Sequence, residues 1–493
     1  MSKFEDILEI KLPPDIKILG VTNSSKKVKD NFIFFALNGR KNHASIYIDE
    51  AIENGASIVI HNDKTYDSNS EKVIYVDDLE AKSSTKIIKF LEAYYELFDT
   101  SNNTYYAFTG TNGKTTSAYL CHQLLASQGK DSLYIGTIGT QYNYSEIDQS
   151  VSKKTTPDIF ELFEIFKFYE LENPISICIE ISSHAIDQNR LQNINYFKAA
   201  SILNIGSDHL DYHKSIEEYA RTKFRLFDIE SNLKLIDLDT YKKFNFEEID
   251  SLTTISNNNS AANIFYNIDS CDIKKSTFSI FDKEKNTYHF ETSLFPKFNI
   301  SNLIFAICST GLSSFKIDSV NNLDFLTLPK GRSDLIDNIE ANIIIDYAHN
   351  ADGFEFFLSS IKDYFRNLVV VFGCGGDRDR SKRSKMLMSA FKFSNDVIFT
   401  SDNSRNESFE DILSDALDGS VNRDDITIIE NRKEAIIYGS SIIKENDCLV
   451  ILGKGHEETQ EIKGNVMHFS DYEVVDEIYN WFEWFIVIFR STR

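Results

Sequence analysis

The chain has 493 residues, is 42% hydrophobic, and carries 75 acidic against 52 basic residues, a formal net charge of −23. That length implies roughly two to four domains, each able to bury a core of its own. So acidic a balance excludes nucleic acid and anionic membrane as main partners, whereas a small anionic substrate needs only a local basic site.

In chain order, an apolar run at 32–37, a helical pattern at 46–54 and an apolar run at 56–60 form a first α/β unit. A strand at 73–76 and a helical pattern at 83–97 follow. The start, Met1-Ser2-Lys3-Phe4-Glu5-Asp6, has no apolar signal core, which points to the cytoplasm. The polar segment Asp99-Thr100-Ser101-Asn102-Asn103 marks a boundary.

Ala107-Phe108-Thr109-Gly110-Thr111-Asn112-Gly113-Lys114-Thr115-Thr116 then reads as a strand, a glycine-punctuated loop and a helix start. Backbone N–H groups and a helix N-terminus attract phosphate oxygens there. Lys114 would reach the β/γ-phosphates, and the Thr115 hydroxyl would ligate Mg²⁺. Phe108 stands where the common phosphate loop needs its first glycine, so the shorter G-T-N-G-K-T-T form points to a narrower group of ATP users.

Strand and helix patterns alternate onward through 132–135, 159–169, 175–181 and 199–204, which predicts a mostly parallel, doubly wound sheet. Ser176-Ile177-Cys178-Ile179-Glu180-Ile181-Ser182-Ser183-His184 closes a strand with an acid and hydroxyls. Glu180 is a candidate Mg²⁺ ligand there, with a capped strand end as the alternative. Asn204-Ile205-Gly206-Ser207-Asp208-His209-Leu210-Asp211-Tyr212-His213 crowds groups able to ligate metal or move protons, with a solvated loop as the alternative. Lys223, in a helical pattern at 219–227, reads by itself as a solvated helix position. Residues 235–297 are strand-rich and are expected to be antiparallel additions within the same domain.

A second boundary falls at Leu328-Pro329-Lys330-Gly331-Arg332. Beyond it, strands are expected at 341–346, 367–372, 396–400, 426–429 and 448–452. Four of them run into polar motifs: Asp346-Tyr347-Ala348-His349-Asn350, Gly373-Cys374-Gly375-Gly376-Asp377-Arg378-Asp379-Arg380, Ser401-Asp402-Asn403-Ser404-Arg405 and Gly453-Lys454-Gly455-His456-Glu457. Each alone reads as a turn as readily as a site. Together they would converge on one rim, where open α/β sheets bind ligands.

Cys121, Cys178, Cys271, Cys308, Cys374 and Cys448 are scattered without a C-x-x-C and are expected to be free thiols. The aromatic run Trp481-Phe482-Glu483-Trp484-Phe485-Ile486-Val487-Ile488-Phe489 is too short to span a bilayer; it is expected to dock as a last element, with a partner contact or surface tether as alternatives.

Together these motifs resemble the Mur ligase family, most closely its MurE-like branch, from about residue 20 to 470. The G-T-N-G-K-T-T loop and Asp208-His209-Leu210-Asp211 are shared with the wider family, folylpolyglutamate synthases included. Thr155-Thr156-Pro157, Glu180-Ile181-Ser182-Ser183-His184, Gly375-Gly376-Asp377-Arg378 and Gly453-Lys454-Gly455-His456-Glu457 belong to the MurE-like branch.

The resemblance implies an α/β fold of three domains: an N-terminal UDP-substrate domain (1–100), a central ATP-binding domain with a mostly parallel sheet (101–328), and a Rossmann-like amino-acid domain (329–493). It implies a cytoplasmic, ATP-dependent amide ligase of peptidoglycan synthesis, and so a part in cell shape and division. The expected partners are ATP, Mg²⁺, UDP-MurNAc-dipeptide and meso-diaminopimelate, with no integral membrane segment and a monomeric chain. Gly110, Thr111, Asn112, Gly113, Lys114, Thr115, Thr116, Asn302, Arg332 and Asp346 would bind ATP, closing of two domains assembling the site. Thr115, Glu180, His209 and a carbamylated Lys223 would hold Mg²⁺, with Lys114, Glu180, His209 and Lys223 as the catalytic set.

Ser24, Thr155, Thr156, Ser182, Gln188 and Arg190 would hold the UDP-linked dipeptide. Arg378, Asp402, Asn403, Ser404, Arg405, Gly453 and Glu457 would hold the amino acid. Arg405 can take the second carboxylate of meso-diaminopimelate bidentately, whereas lysine would leave it unpaired. Three departures stand out: Ser404 replaces the branch's proline, Asn23-Ser24-Ser25 its Asp-Ser-Arg, and His349-Asn350-Ala351-Asp352 its His-Thr-Pro-Asp. An L-lysine-adding or folylpolyglutamate-type ligase is one alternative, and a non-catalytic nucleotide-binding protein another.

Overall fold

The computed structural model describes the chain apart from residues 1, 14–15, 40–41, 81–84, 153, 192–193, 207, 209, 245, 247, 337–341, 395, 419–420 and 480–493. It forms two compact units, Met1–Phe265 with Phe305–Ser314, and Tyr266–Ile304 with Phe315–Arg493.

In the first unit, β1 (Gly20–Thr22), β2 (Phe32–Ala36), β3 (Ala56–His61) and β4 (Val73–Tyr75) make a parallel sheet in that order. A larger sheet follows from β5 (Thr104–Thr109), β6 (Ser132–Gly136), β7 (Gly139–Tyr142), β8 (Ser176–Glu180), β10 (Ala199–Ile202), β12 (Lys234–Asp237) and β13 (Leu252–Ser256). The short strands β9 (Tyr196–Phe197) and β11 (Glu230–Ser231) pair separately. The larger sheet is ordered β13-β12-β10-β5-β8-β6-β7, parallel except for β7.

The central strands β5, β8 and β10 are near-continuous apolar runs because helices cover both faces. From β5 the chain returns through the helix Lys114–Ser127 to β6, on one side; β10, β12 and β13 lie on the other. Their divergence opens a crevice at the carboxyl end of β5, the place where doubly wound sheets take ligands. Phe35 of β2 packs on Phe90 and Phe160, each with ring centroids 5.3 Å away, so the two sheets of this unit share a core.

The antiparallel expectation for 235–297 is only partly met. The helix Leu238–Lys243 lies between β12 and β13 and makes a crossover, so these strands pair in parallel, as do β13 and β14 (Ile264–Cys271). In the second unit β15 (Ser276–Phe281) and β16 (Thr287–Thr292) are joined by a tight turn and do pair antiparallel, while β17 (Val320–Asn322) joins β16 in parallel.

The second unit also holds a sheet ordered β18-β19-β23-β20-β21-β22. Its strands are β18 (Asp334–Leu335), β19 (Asn342–Asp346), β20 (Leu368–Phe372), β21 (Asp396–Phe399), β22 (Thr427–Ile428) and β23 (Cys448–Leu452). Only the edge pair β18–β19 is antiparallel. Apolar clusters cover both faces, one around Phe354, Phe372 and Leu387, the other around Ile345, Ile436 and Ile451. Four adjacent strands, β19, β23, β20 and β21, therefore end on one rim. A hairpin, β24 (Thr459–Ile462) with β25 (Asn465–His468), follows β23.

The cysteines are free, and all but Cys271 are buried, as expected. Among the described residues no helix is long and apolar enough to cross a membrane. The aromatic run at 481–489 lies outside the described residues.

His122, on the phosphate-loop helix, is buried between the Ser132 hydroxyl (2.9 Å) and the Asn143 carbonyl (3.0 Å). Burial lowers its pKa from 6.5 to about 4, against a smaller opposing effect of the Asn143 carbonyl. Between those values the unfolded chain binds a proton that the folded chain refuses, so stability falls as pH drops from 6.5 toward 4. The slope from this one group reaches about 1.4 kcal/mol per pH unit. Urea midpoints measured across that window should fall with pH, and less steeply in His122→Gln.

Candidate active site

Apolar β5 delivers Gly110-Thr111-Asn112-Gly113 to the start of the helix Lys114–Ser127. Gly113 takes φ +86°, a left-handed conformation that glycine adopts without strain and that turns the chain into the helix. The loop is braced from the strand beyond. Asn112 N–H donates to Asn204 Oδ1 (2.9 Å), Asn204 Nδ2 returns a bond to Asn112 O (3.0 Å), and Gly206 N–H donates to Thr111 Oγ1 (2.9 Å).

Lys114 Nζ donates to the Gly110 and Thr111 carbonyls, both at 2.9 Å. Lys223 Nζ shares the Gly110 carbonyl (2.9 Å) and reaches Thr109 Oγ1 (3.2 Å). Lys223 is fully buried, which corrects its reading as a solvated position. Burial first, and then the neighbouring Lys114 charge, hold its amine well below the usual lysine range. Thr115 and Thr116 are buried in the first turn.

Glu180, at the end of β8, is fully buried, and its carboxylate accepts from several donors. Oε2 accepts from Thr115 Oγ1 (2.9 Å) and Thr137 Oγ1 (3.1 Å), and Oε1 accepts from Tyr134 O–H (2.6 Å) and Thr137 N–H (2.8 Å). Gly136 makes room for it: a Cβ there would stand 2.0 Å from Oε1. Tyr134 and Thr137 escape a reading of the sequence. They come from β6 and its following turn, and only the lateral pairing of β6 with β8 sets them beside Glu180.

The same network extends to the residues expected to hold the UDP-linked dipeptide. Thr137 Oγ1 meets Thr155 Oγ1 (3.0 Å), and Thr156 Oγ1 donates to Glu180 O (2.8 Å) while accepting from Ser182 N–H (3.0 Å). Arg190 Nη1 donates to Thr156 O (2.8 Å), and its Nε and Nη2 hold Gln188 Oε1 at 3.1 and 2.7 Å. Ser24 lies in the turn after β1, its N–H on Thr22 Oγ1 (3.1 Å), and Lys27 of the same turn pairs with Glu161 (3.1 Å), which also pairs with Lys154 beside Thr155 (2.9 Å). His209 lies outside the described residues.

In the second unit the four strand ends bring their motifs together as expected. Asp346 accepts from Ser333 N–H (2.6 Å) and Ala348 N–H (2.7 Å). Burial raises its pKa, and the nearby Arg332, stacked 4.5 Å from the centre of the Tyr347 ring, opposes that rise. Gly453 N–H donates to Asp346 O (3.2 Å), and a Cβ on Gly453 would crowd Asp402 Oδ2 at 2.8 Å. Glu457 Oε2 accepts from Lys454 Nζ (3.1 Å) and Asn403 Nδ2 (3.0 Å). Ser404 uses the N–H that a proline would lack, donating to Asp402 O (3.0 Å).

Arg405 has a left-handed backbone, φ +51°. Its Nη1 donates to Gly376 O (2.6 Å) and lies 3.4 Å from Asn403 O, and its Nε is 3.7 Å from Glu461 Oε2. Arg405 is thus compensated even without a ligand, which softens the expectation that lysine would strand its charge. Arg378 stands exposed on the loop after β20. Asn302, also of the second unit, is buried on the helix Lys297–Thr310, with its Nδ2 donating to Asn299 Oδ1 (3.3 Å).

Residues 108–310 match the model of the Mur ligase middle domain, and residues 331–455 that of the Mur ligase glutamate ligase domain. The chain is 36% identical to the UDP-N-acetylmuramoyl-L-alanyl-D-glutamate--2,6-diaminopimelate ligase of Aquifex aeolicus over 94% of both chains. It is 34% identical to the ligase of the same name from Rickettsia montanensis, over 93% of this chain and 95% of that one. A solved structure of a ligase of that name superposes with a TM-score of 0.64 at 29% identity, covering 97% of this chain and 99% of the other. MurF ligase from Thermotoga maritima, solved in complex with ADP, shares the fold, with a TM-score of 0.57 at 16% identity over 89% and 95% of the two chains. The chain belongs to the Mur ligase family, and is an ATP-dependent ligase of that family.

Proposed function

We propose that the chain joins meso-diaminopimelate to the glutamyl carboxylate of UDP-N-acetylmuramoyl-L-alanyl-D-glutamate at the expense of ATP. The names of its relatives support this, and so do the residues of its two units. The γ-phosphoryl passes to a carboxylate oxygen and ADP leaves. The amine nitrogen of the diamino acid then attacks the acyl carbon, and the C–N bond forms as the C–O bond to phosphate breaks. The amine gives up a proton.

Both reactants of the first step are anions, so the site must supply positive charge. Lys114 leaves the loop carbonyls and turns to the β/γ-phosphates. The Thr115 hydroxyl and the Glu180 carboxylate offer hard oxygen donors side by side, which suits Mg²⁺, and His209 with a carbamylated Lys223 would hold a second ion. Bound Mg²⁺ neutralises phosphate charge. Lys223 suits carbamylation because its buried amine keeps a free lone pair for CO₂. Thr155, Thr156, Ser182, Gln188 and Arg190, with Ser24, hold the UDP-linked dipeptide; Asn302, Arg332 and Asp346 serve the nucleotide. In this reading 1–100, 101–328 and 329–493 are the UDP-substrate, ATP-binding and amino-acid domains.

The choice of amine rests on Arg405. Its guanidinium is held at the rim, and among the described residues Nη2 has no hydrogen-bond partner, which leaves one edge of the fork for a carboxylate. Arg405→Ala should raise KM for meso-diaminopimelate about a hundredfold, the roughly 3 kcal/mol of a charge-assisted pair. Phosphate release measured with a panel of amino acids tests the assignment. Turnover with L-lysine and none with meso-diaminopimelate would overturn it in favour of the lysine-adding ligase.

A further inference from the structure

Arg405 keeps a strained backbone on a loop that carries serine, not a ring-locked residue, just before it. Something outside the loop has to hold it, and β24 does. Arg405 N–H donates to Glu461 O (3.0 Å), Lys463 N–H donates back to Arg405 O (2.5 Å), and Glu461 N–H donates to Asn403 Oδ1 (2.9 Å). These bonds fix the loop to the strand at its far end. At its near end one side chain does so. Gln460 is buried, 6% exposed, and its Nε2 donates to Ser401 Oγ (3.1 Å) and Asp402 O (3.1 Å), with Ser401 O at 3.5 Å.

We infer that Gln460 is a positioning residue for amino-acid selection: its carboxamide clamps Ser401-Asp402 to β24 and so sets the reach of Arg405. Gln460 touches no reacting atom; it acts through Arg405, and the inference rests on the assignment of Arg405 to the far carboxylate of the amino acid. Without the carboxamide, the Asp402 carbonyl loses a buried donor, and the loop can shift while its far end stays pinned. A displacement near 1 Å at a binding group costs of the order of tenfold to a hundredfold in recognition. The effect should fall on one substrate alone, because the loop carries no residue assigned to ATP or to the UDP-linked dipeptide.

The test is steady-state kinetics of the full chain with Gln460→Met, and with Gln460→Glu, which keeps size and shape but aims an acceptor at the same acceptors. The expected result is a KM for meso-diaminopimelate raised about tenfold or more, with kcat and the KM values for ATP and the UDP-linked dipeptide within about twofold of the parent. If Gln460→Met does not fold, Gln460→Glu carries the test. An unchanged KM for meso-diaminopimelate, or a uniform change in all three KM values, overturns the clamp. The parallel variant Arg405→Ala separates the two ideas. If it leaves that KM unchanged, the assignment of Arg405 has failed; if it raises KM while the Gln460 variants do not, only the clamp has failed.

Discussion

Exchanging Lys114 for methionine is expected to lower kcat about ten-thousandfold, within the range seen when a phosphate-stabilising cation is removed from a phosphoryl-transfer site. Methionine keeps the length and apolar stem of the side chain, so the helix Lys114–Ser127 retains its packing. What disappears is the charge that offsets a carboxylate approaching a triphosphate. Lys114 donates to loop carbonyls in the structure, Gly110 O and Thr111 O at 2.9 Å, and these bonds are easily exchanged for phosphate oxygens. Loss of the charge also removes one of the two influences that depress the Lys223 amine. Phosphate release at saturating substrates measures the effect. A fall of less than about tenfold would remove Lys114 from the transition state.

Lys223→Ala is expected to lower kcat about a thousandfold, the several kcal/mol that a lost metal ligand costs. A buried lysine 2.9 Å from a carbonyl already shared with Lys114 is poorly placed as a second ammonium. A carbamate would carry the opposite charge, at the cost of one CO₂ taken up and one proton released. Carbon-13 bicarbonate should therefore give the parent enzyme a carbamate resonance that the variant lacks. Full activity of Lys223→Ala without added bicarbonate or chloride would end this role.

Much of this was legible in the chain itself, for physical reasons. Strands buried on both faces must be apolar throughout, so β5, β8, β20 and β23 stand out, and each polar motif that follows marks a strand end. The phosphate loop announces itself because glycine takes the left-handed turn at Gly113 without strain. Lateral neighbours are a different matter. Nothing in residues 132–137 says that β6 will lie beside β8, so Tyr134 and Thr137 could not be paired with Glu180 beforehand. Nor does the segment after 235 reveal that a short helix intervenes between β12 and β13, which decides parallel over antiparallel pairing. The burial of Lys223 was hidden for a related cause: its helix alternates charge and apolar residues like a surface helix, and only the fold sets its inner face against the phosphate loop.

The central claim is that ATP activates a glutamyl carboxylate which a diamino acid then captures. UDP-N-acetylmuramoyl-L-alanyl-D-glutamate labelled with oxygen-18 in the glutamyl side-chain carboxylate, incubated with the chain, ATP, Mg²⁺ and meso-diaminopimelate, puts that to a single mass-spectrometric measurement of both products. The account predicts a nucleotide product heavier by one diaminopimelyl residue, and inorganic phosphate carrying one labelled oxygen. Unlabelled phosphate, or a nucleotide of unchanged mass, would contradict it.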